Sequence, residues 1–300
     1  MRIGVWIDDD GVSVATVAER ARAAAAAGYE AVWLGERSGW DPLTLLTAIG
    51  PAVPDVRLGT AVVRTHPRHP LALAAQALTV HAATGGRLVL GVGPSHAPIV
   101  EGQYGLPYDR PAAHTREYLT ALRPLLRGEP VSFAGELLAA NGQVSVAVEP
   151  PPVLLSALGP AMLRVAGELA DGTVTTWAGP RSIGEHVVPA LTAAATASGR
   201  PNRPAVIAGV CVAVTADPDG ARAWVQRQFG PASDLPGYRA QLDREGVRTP
   251  GETVIAGDEE TVGRAFRAFA DAGADELQLI PVGPAADRIR TLEVAATLAR

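Results

Sequence analysis

Short apolar runs rich in β-branched residues alternate along the chain with longer, Ala-rich stretches whose apolar positions recur at helical spacing. The runs at 3–7, 31–35, 57–63, 88–93, 153–157, 173–177, 206–215 and 276–281 read as strands. Helical patterns fill the gaps near 13–27, 41–50, 70–83, 112–127, 160–170, 182–198, 218–229 and 258–272, with a closing helix near 285–299. Strands joined through helices must run parallel, and strands covered on both faces read as continuous apolar runs, as these do. An α/β fold follows: a closed (β/α)8 TIM barrel, forming one domain over residues 1–300.

A short internal echo supports the repeat. Ala27-Gly28-Tyr29-Glu30-Ala31 and Ala272-Gly273-Ala274-Asp275-Glu276 share a layout, and Ala170-Asp171-Gly172-Thr173 is a briefer version. Each glycine is expected to end a helix in the left-handed conformation before the next strand. Two stretches stand outside the repeat and read as insertions. Residues 128–151 suggest a hairpin with arms at 131–136 and 144–146, and residues 230–256 hold a short helical piece near 238–245. In barrels such excursions often cover the active face.

Composition narrows the functional classes. The chain is 47% hydrophobic and 19% charged, enough for a large core, and its net charge of -5 with dispersed basic residues offers no field for nucleic acid or an anionic membrane. Every basic residue is Arg and none is Lys, which removes Schiff-base lysine chemistry. The single cysteine, Cys211, lies in an apolar run, so it reads as a buried structural thiol and not as part of a disulfide or metal site. The N-terminus enters a strand directly and no run is long enough to span a bilayer, so a cytoplasmic protein is expected.

Several stretches carry candidate chemistry. Leu90-Gly91-Val92-Gly93-Pro94-Ser95-His96 leaves a strand through two glycines, where backbone can approach a planar or anionic ligand; His96 stands where a dinucleotide fingerprint would need its third Gly. Gly159-Pro160-Ala161-Met162 opens a helix whose free N–H groups suit a phosphate, although an ordinary strand-to-helix turn reads the same way. Gly35-Glu36-Arg37-Ser38-Gly39-Trp40 offers a carboxylate for proton transfer and an indole for stacking, or equally a solvated Glu and a rim Trp. His66 and His69 have a metal-like spacing, but flanking prolines break the helix that would align them and no carboxylate cluster accompanies them; no metal is expected. His81 and His186 lie in helical patterns and read as structural or solvated.

Taken together, these motifs resemble the luciferase-like superfamily, and within it the branch that uses the deazaflavin coenzyme F420, which includes methylenetetrahydromethanopterin reductases and glucose-6-phosphate dehydrogenases. The resemblance rests on Trp33-Leu34-Gly35-Glu36, Arg57 to Val63 with Pro67-Arg68-His69-Pro70, Gly85 to His96, Gly102 to Pro111, and Leu158-Gly159-Pro160-Ala161-Met162 through Asp171-Gly172 to Trp177. It implies a cofactor ring over the third strand, on a bulge at Thr60, Ala61 and Val62 with a non-prolyl cis peptide between Ala61 and Val62. It places the phosphate at Gly159, Pro160, Ala161 and Met162 with Trp177 and Ala178 beside it, and borders the ring with Gly93, Ser95 and His96. Relatives place a proton-transfer residue and a Trp after the second strand, which match Glu36 and Trp40; His96 falls where others carry a Glu, so either Glu36 or His96 handles the proton. The implied activity is hydride transfer between F420 and a small organic substrate, in a homodimer. A two-component monooxygenase using flavin mononucleotide (FMN) is the alternative, and a non-catalytic binding or partner barrel a second one.

Overall fold

The apolar runs pair edge to edge into a closed cylinder. The structure is a computed structural model that describes residues 1–53 and 55–298. Its strands are β1 (Arg2–Trp6), β2 (Ala31–Leu34), β3 (Arg57–Thr60), β4 (Val63–Arg64), β5 (Leu88–Gly93), β6 (Val131–Ala134), β7 (Ala139–Gly142), β8 (Val153–Ser156), β9 (Gly172–Thr176), β10 (Ala205–Val214), β11 (Ile255–Gly257) and β12 (Glu276–Pro281). Around the ring the order is β1, β2, β3, β5, β8, β9, β10, β12 and back to β1, with every pairing parallel. This is the (β/α)8 TIM barrel that the alternation implies.

Its outer layer is formed by α1 (Val14–Ala27), α2 (Pro42–Ile49), α3 (Pro70–Ala83), α4 (Ala97–Tyr104), α5 (Pro111–Leu126), α6 (Pro160–Leu169), α7 (Pro180–Ser182), α8 (Val188–Ala197), α9 (Pro218–Phe229), α10 (Pro236–Glu245), α11 (Glu259–Asp271) and α12 (Ala285–Val294). Local chemistry marks where many of them start. The side chains of Ser13, Asp41, Asp217 and Asp258 accept from backbone N–H groups in the first turns of α1, α2, α9 and α11. Pro42, Pro70, Pro111 and Pro160 occupy first helical positions, where a missing N–H costs nothing.

Two apolar layers result. The larger lies between strands and helices; the smaller fills the barrel with Ala31, Trp33, Val89, Leu154, Val174 and Ile207. Trp33 is fully buried, and its indole N–H donates to Glu276 Oε1 at 3.0 Å. Glu276 is itself 0% exposed and pairs through Oε2 with Arg57 at 2.7 Å and Arg2 at 3.6 Å. Glu276 and the two arginines sit at strand starts and, with the Trp33 indole lying over them, seal the N-terminal end of the barrel. Room for the indole comes from glycine: a Cβ on Gly59 would overlap the Trp33 ring.

The structure corrects several expectations. The third strand is interrupted at Ala61 and Val62 instead of running from 57 to 63. The hairpin pairs β6 with β7 at 139–142, not with 144–146, because the Glu117 carboxylate of α5 gathers the N–H groups of Glu136, Leu137 and Leu138 and fixes the turn there. That hairpin lies against α3 and α5 outside the barrel; the insertion at 230–256 is the one that reaches the active rim. Gly28 and Gly273 are left-handed caps (φ 95° each), but Gly172 begins β9, where a Cβ would press on Leu154 and the Ala205 carbonyl. The helix expected at 182–198 starts at Pro180 and contains a π-helical stretch, Ile183–Val187. α4 and β11 had no signal strong enough to place them. The closing helix ends at Val294 and runs into a 3-10 turn at Ala295–Thr297; its expected last residue, 299, lies outside the described residues.

Replacing Gly59 by Ala should therefore cost about 3 kcal/mol, near the upper end for an overpacked core, because a rigid indole has nowhere to move. Urea denaturation checks this, and adding Trp33→Leu to Gly59→Ala should restore part of the loss.

Candidate functional site

All eight strands are parallel, so the turns that follow them share one rim, the end at which barrels of this kind carry chemistry. The third strand shapes that rim. The Thr60 hydroxyl donates to the Gly91 carbonyl at 2.8 Å, and the Gly91 N–H returns a bond to it at 2.9 Å, so the side chain continues the ladder where the backbone leaves it. The peptide between Ala61 and Val62 is cis, as the resemblance implied. Ala61 N–H donates to the Leu34 carbonyl at 2.7 Å, and the Val62 carbonyl accepts from Glu36 N–H at 3.2 Å.

Next along the rim is the turn after β5. A Cβ on Gly93 would lie 2.9 Å from Val62 Cγ2 and 3.1 Å from Ser156 Cβ, so two neighbouring side chains close on the Gly93 backbone here. Ser95 adopts φ 65°, a left-handed conformation costing of order 1 kcal/mol in a non-glycine residue. Its carbonyl accepts from the Tyr108 hydroxyl at 2.7 Å, which fixes the turn. His96 follows as the N-cap of α4, with a side chain that does not cap the helix. Its ring stands 5.2 Å from the ring of Tyr238, and burial together with the positive charge of Arg64 lowers its proton affinity.

Glu36 is placed differently from a free acid. Its side chain is 8% exposed; Oε2 accepts from Arg64 N–H at 2.8 Å and pairs with Arg68 at 2.6 Å, and Arg64 Nη1 lies 3.8 Å from Oε1. Arg68 also holds Asp41 at 2.7 Å, and Arg64 donates to the Tyr104 hydroxyl at 3.0 Å. Glu36 thus organises the chain from β4 into α3. Trp40 is 45% exposed and donates its indole N–H to the Val12 carbonyl at 3.0 Å; no contact joins it to His96.

The N-terminus of α6 follows β8. Gly159 is its N-cap, no side chain bonds the exposed N–H groups of the first turn, and a Cβ built on Gly159 meets nothing within 4 Å. An open, uncapped end of a ten-residue helix is where a phosphate oxygen is best received. Arg244 lies close enough to lower the proton affinity of His186, whose ring nitrogen is 3.1 Å from the Leu158 carbonyl. Among the described residues Arg244 Nη1 is buried without a hydrogen-bond partner.

Trp177, at the end of β9, is buried with φ 55°, and its ring lies 4.7 Å from that of Tyr238 and 6.3 Å from that of Phe229. A cavity of about 310 Å³ adjoins it, lined by Ala178, Gly179, Cys211, Glu245 and their neighbours. Burial pushes the Cys211 thiol up to about 12, so it is an inert neutral group facing the Trp177 indole. A second cavity, of about 360 Å³, lies at the opposite end of the barrel beside Pro151, Arg123 and Asp171. Its Arg123 and Asp171 are paired with each other at 3.1 Å, and it is remote from every candidate residue.

One cluster had no sequence signal. His66 stacks on His114 with ring centroids 4.1 Å apart and lies 5.1 Å from Tyr108. Burial, then the neighbouring His114, lowers His66 to about 4. His69 instead caps α3 and meets the Ala139 carbonyl at 2.9 Å. Among the described residues no group of three or more His, Cys, Asp or Glu could hold a metal, and no helix is long and apolar enough to cross a membrane.

With the geometry in place, comparison with known proteins is informative. Residues 1–296 match the family model described as luciferase-like monooxygenase. A protein of Mycobacterium tuberculosis named as a candidate coenzyme F420-dependent oxidoreductase is 36% identical over 184 residues, 56% of this chain and 53% of its own length. The chain thus spans about half of that relative. The 5,10-methylenetetrahydromethanopterin reductase of Methanolobus tindarius is 28% identical over 248 residues, 81% of this chain and 75% of its own. Among solved structures, the coenzyme F420-dependent tetrahydromethanopterin reductase of Methanopyrus kandleri superposes with a TM-score of 0.84 at 21% identity, covering 98% of this chain and 97% of that one.

The histidines set the acid stability of the fold. The folded protein keeps His66 neutral down to about pH 4, whereas the unfolded chain takes up that proton near 6.5. His81, His96, His114 and His186 are lowered in the same direction. Protons in this window favour unfolding, so stability should fall as pH drops from 6.5 toward 4. Thermal melts at pH 7 and 4.5 should show the loss, and His66→Asn should flatten it.

Proposed function

The chain belongs to the luciferase-like monooxygenase family, and from that premise we propose that it is an oxidoreductase that uses coenzyme F420 and acts on a small organic substrate. The observation that carries this reading is the open, uncapped start of α6 on the same rim as the unpartnered imidazole of His96. The names of the M. tuberculosis and Methanolobus relatives favour the deazaflavin over FMN. The same rim suits the group: its phosphate end matches the cradle at Gly159, where a Cβ would find free space.

When bound, the deazaflavin supplies hydride chemistry with little reactivity toward oxygen. The N–H groups of Ala161 and Met162 receive the phosphate at the positive end of α6, and the charge of Arg244 adds to the attraction. Ala61, Val62, Gly93 and Ser95 would border the ring, with Trp177 and Ala178 beside the phosphate. His96, a polar side chain with no hydrogen-bond partner among the described residues, handles the proton; Glu36, held by Arg64 and Arg68, keeps that side of the rim in place. Trp40 packs on the outer edge of the same loop. We propose a homodimer, as the resemblance implies.

Fluorescence titration with F420 and with FMN tests the cofactor assignment. Micromolar binding of F420, weakened at least tenfold by Gly159→Glu, is expected; preference for FMN with oxygen uptake would establish the monooxygenase reading instead, and binding of neither would favour a non-catalytic barrel. His96→Asn should keep F420 affinity and lower kcat by about 10²-fold or more.

A further inference from the structure

The insertion at 230–256 brings a polar group to the rim for which the fold itself has no use. α10 is anchored along its length: the Glu245 carboxylate accepts from Ser182 N–H at 3.0 Å, Gln241 donates to the Ser182 hydroxyl, and the Arg239 guanidinium binds the Arg248 and Val247 carbonyls. So held, α10 sets the ring of Tyr238 between His96, 5.2 Å away, and Trp177, 4.7 Å away. Phenylalanine would serve that packing equally well. The hydroxyl has no hydrogen-bond partner among the described residues, and burial alone raises its pKa. Tyr108, the neighbouring phenol, is already engaged by the Ser95 carbonyl at 2.7 Å. Half-buried and with no protein partner, the hydroxyl is left to solvent and so is free to be taken up by a ligand.

The charges nearby say what kind of ligand this is. Arg37 is paired with Asp8 and Asp9, Arg68 with Glu36 and Asp41, and Arg64 with Glu36 and the Tyr104 hydroxyl. The chain has no lysine. Beside His96 the walls are aromatic, from Tyr238, Trp177 and Phe229. Arg244, whose Nη1 has no partner among the described residues, lies by His186 near the start of α6 and is assigned above to the cofactor phosphate. That leaves the surroundings of His96 and Tyr238 suited to an apolar body with one hydrogen-bonding atom.

Resting on the oxidoreductase reading, we infer that Tyr238 donates a hydrogen bond to the oxygen of an uncharged ketone or enone substrate, opposite His96. In the reducing direction a reduced deazaflavin would supply a hydride to the carbonyl carbon, the C=O π pair moving to oxygen, and that oxygen would take a proton relayed from solvent through His96, leaving an alcohol and oxidised coenzyme. Tyr238 stabilises the charge that gathers on oxygen, so its effect is larger in the transition state than in the ground state.

The test compares the wild-type protein with Tyr238→Phe, using cyclohexanone labelled with ¹³C at the carbonyl as the probe. Both proteins should bind F420 with equal affinity and melt at similar temperatures. Infrared spectra of the bound probe should show a higher carbonyl stretching frequency in Tyr238→Phe, and kcat/KM for its reduction should fall about tenfold, mostly in kcat. An unchanged stretch and unchanged kinetics, with F420 binding intact, would remove Tyr238 from the site while leaving the oxidoreductase reading standing. Failure of both proteins to bind F420 would overturn that reading and this inference together. Turnover of pyruvate in preference to cyclohexanone would overturn the substrate class.

Discussion

A buried carboxylate at the foot of the barrel is the constraint on which the remaining architecture depends. The Glu276 side chain has no exposure, and it is tolerable there because Arg57, Arg2 and the Trp33 indole all address it. Those partners come from β1, β2 and β3, so one acidic side chain on β12 ties the last strand to the first three. With the indole of Trp33 filling the interior above it, that end of the cylinder is closed. Ligand chemistry is left to the opposite rim.

At that rim most polar groups are already engaged with one another. Thr60 replaces a ladder bond with β5, Glu36 gathers Arg64 and Arg68, and Tyr108 holds the Ser95 carbonyl. Two residues, Ser95 and Trp177, accept left-handed backbone next to the places where a ring would lie. Such conformations persist when the surroundings over-determine them, and here a hydrogen bond and a buried aromatic cluster do so. Against this committed background the unengaged groups among the described residues, His96, Tyr238, the Arg244 Nη1 and the start of α6, stand out as those available to ligands.

Much of this was legible from the chain. Alternation of apolar runs with helical stretches led to the barrel, because strands buried on both faces and helices with one buried face leave different periodicities. Pro160 marked the start of α6. Less legible was anything decided between segments far apart. Ala139-Ala140-Asn141-Gly142 has little strand preference and pairs only because Glu117 shapes the turn before it. Gly172 carries the signature of a cap but is required by close approach of Leu154 and Ala205. Glu36 reads as an available acid, and its two arginines, close in sequence to each other but some thirty positions further on, were not visible as its partners.

The sequence by itself determined the class of fold, the direction of the strands, and therefore which turns share a rim, since these follow from local periodicity and the parallel connection that each helix enforces. It also carried the family motifs that lie on those turns. Only the tertiary structure decided which of the polar residues on that rim are engaged and which remain free. That depends on distances between side chains from different strands, and on an insertion whose helix brings Tyr238 over His96 through anchors at Ser182, a contact that no local pattern encodes.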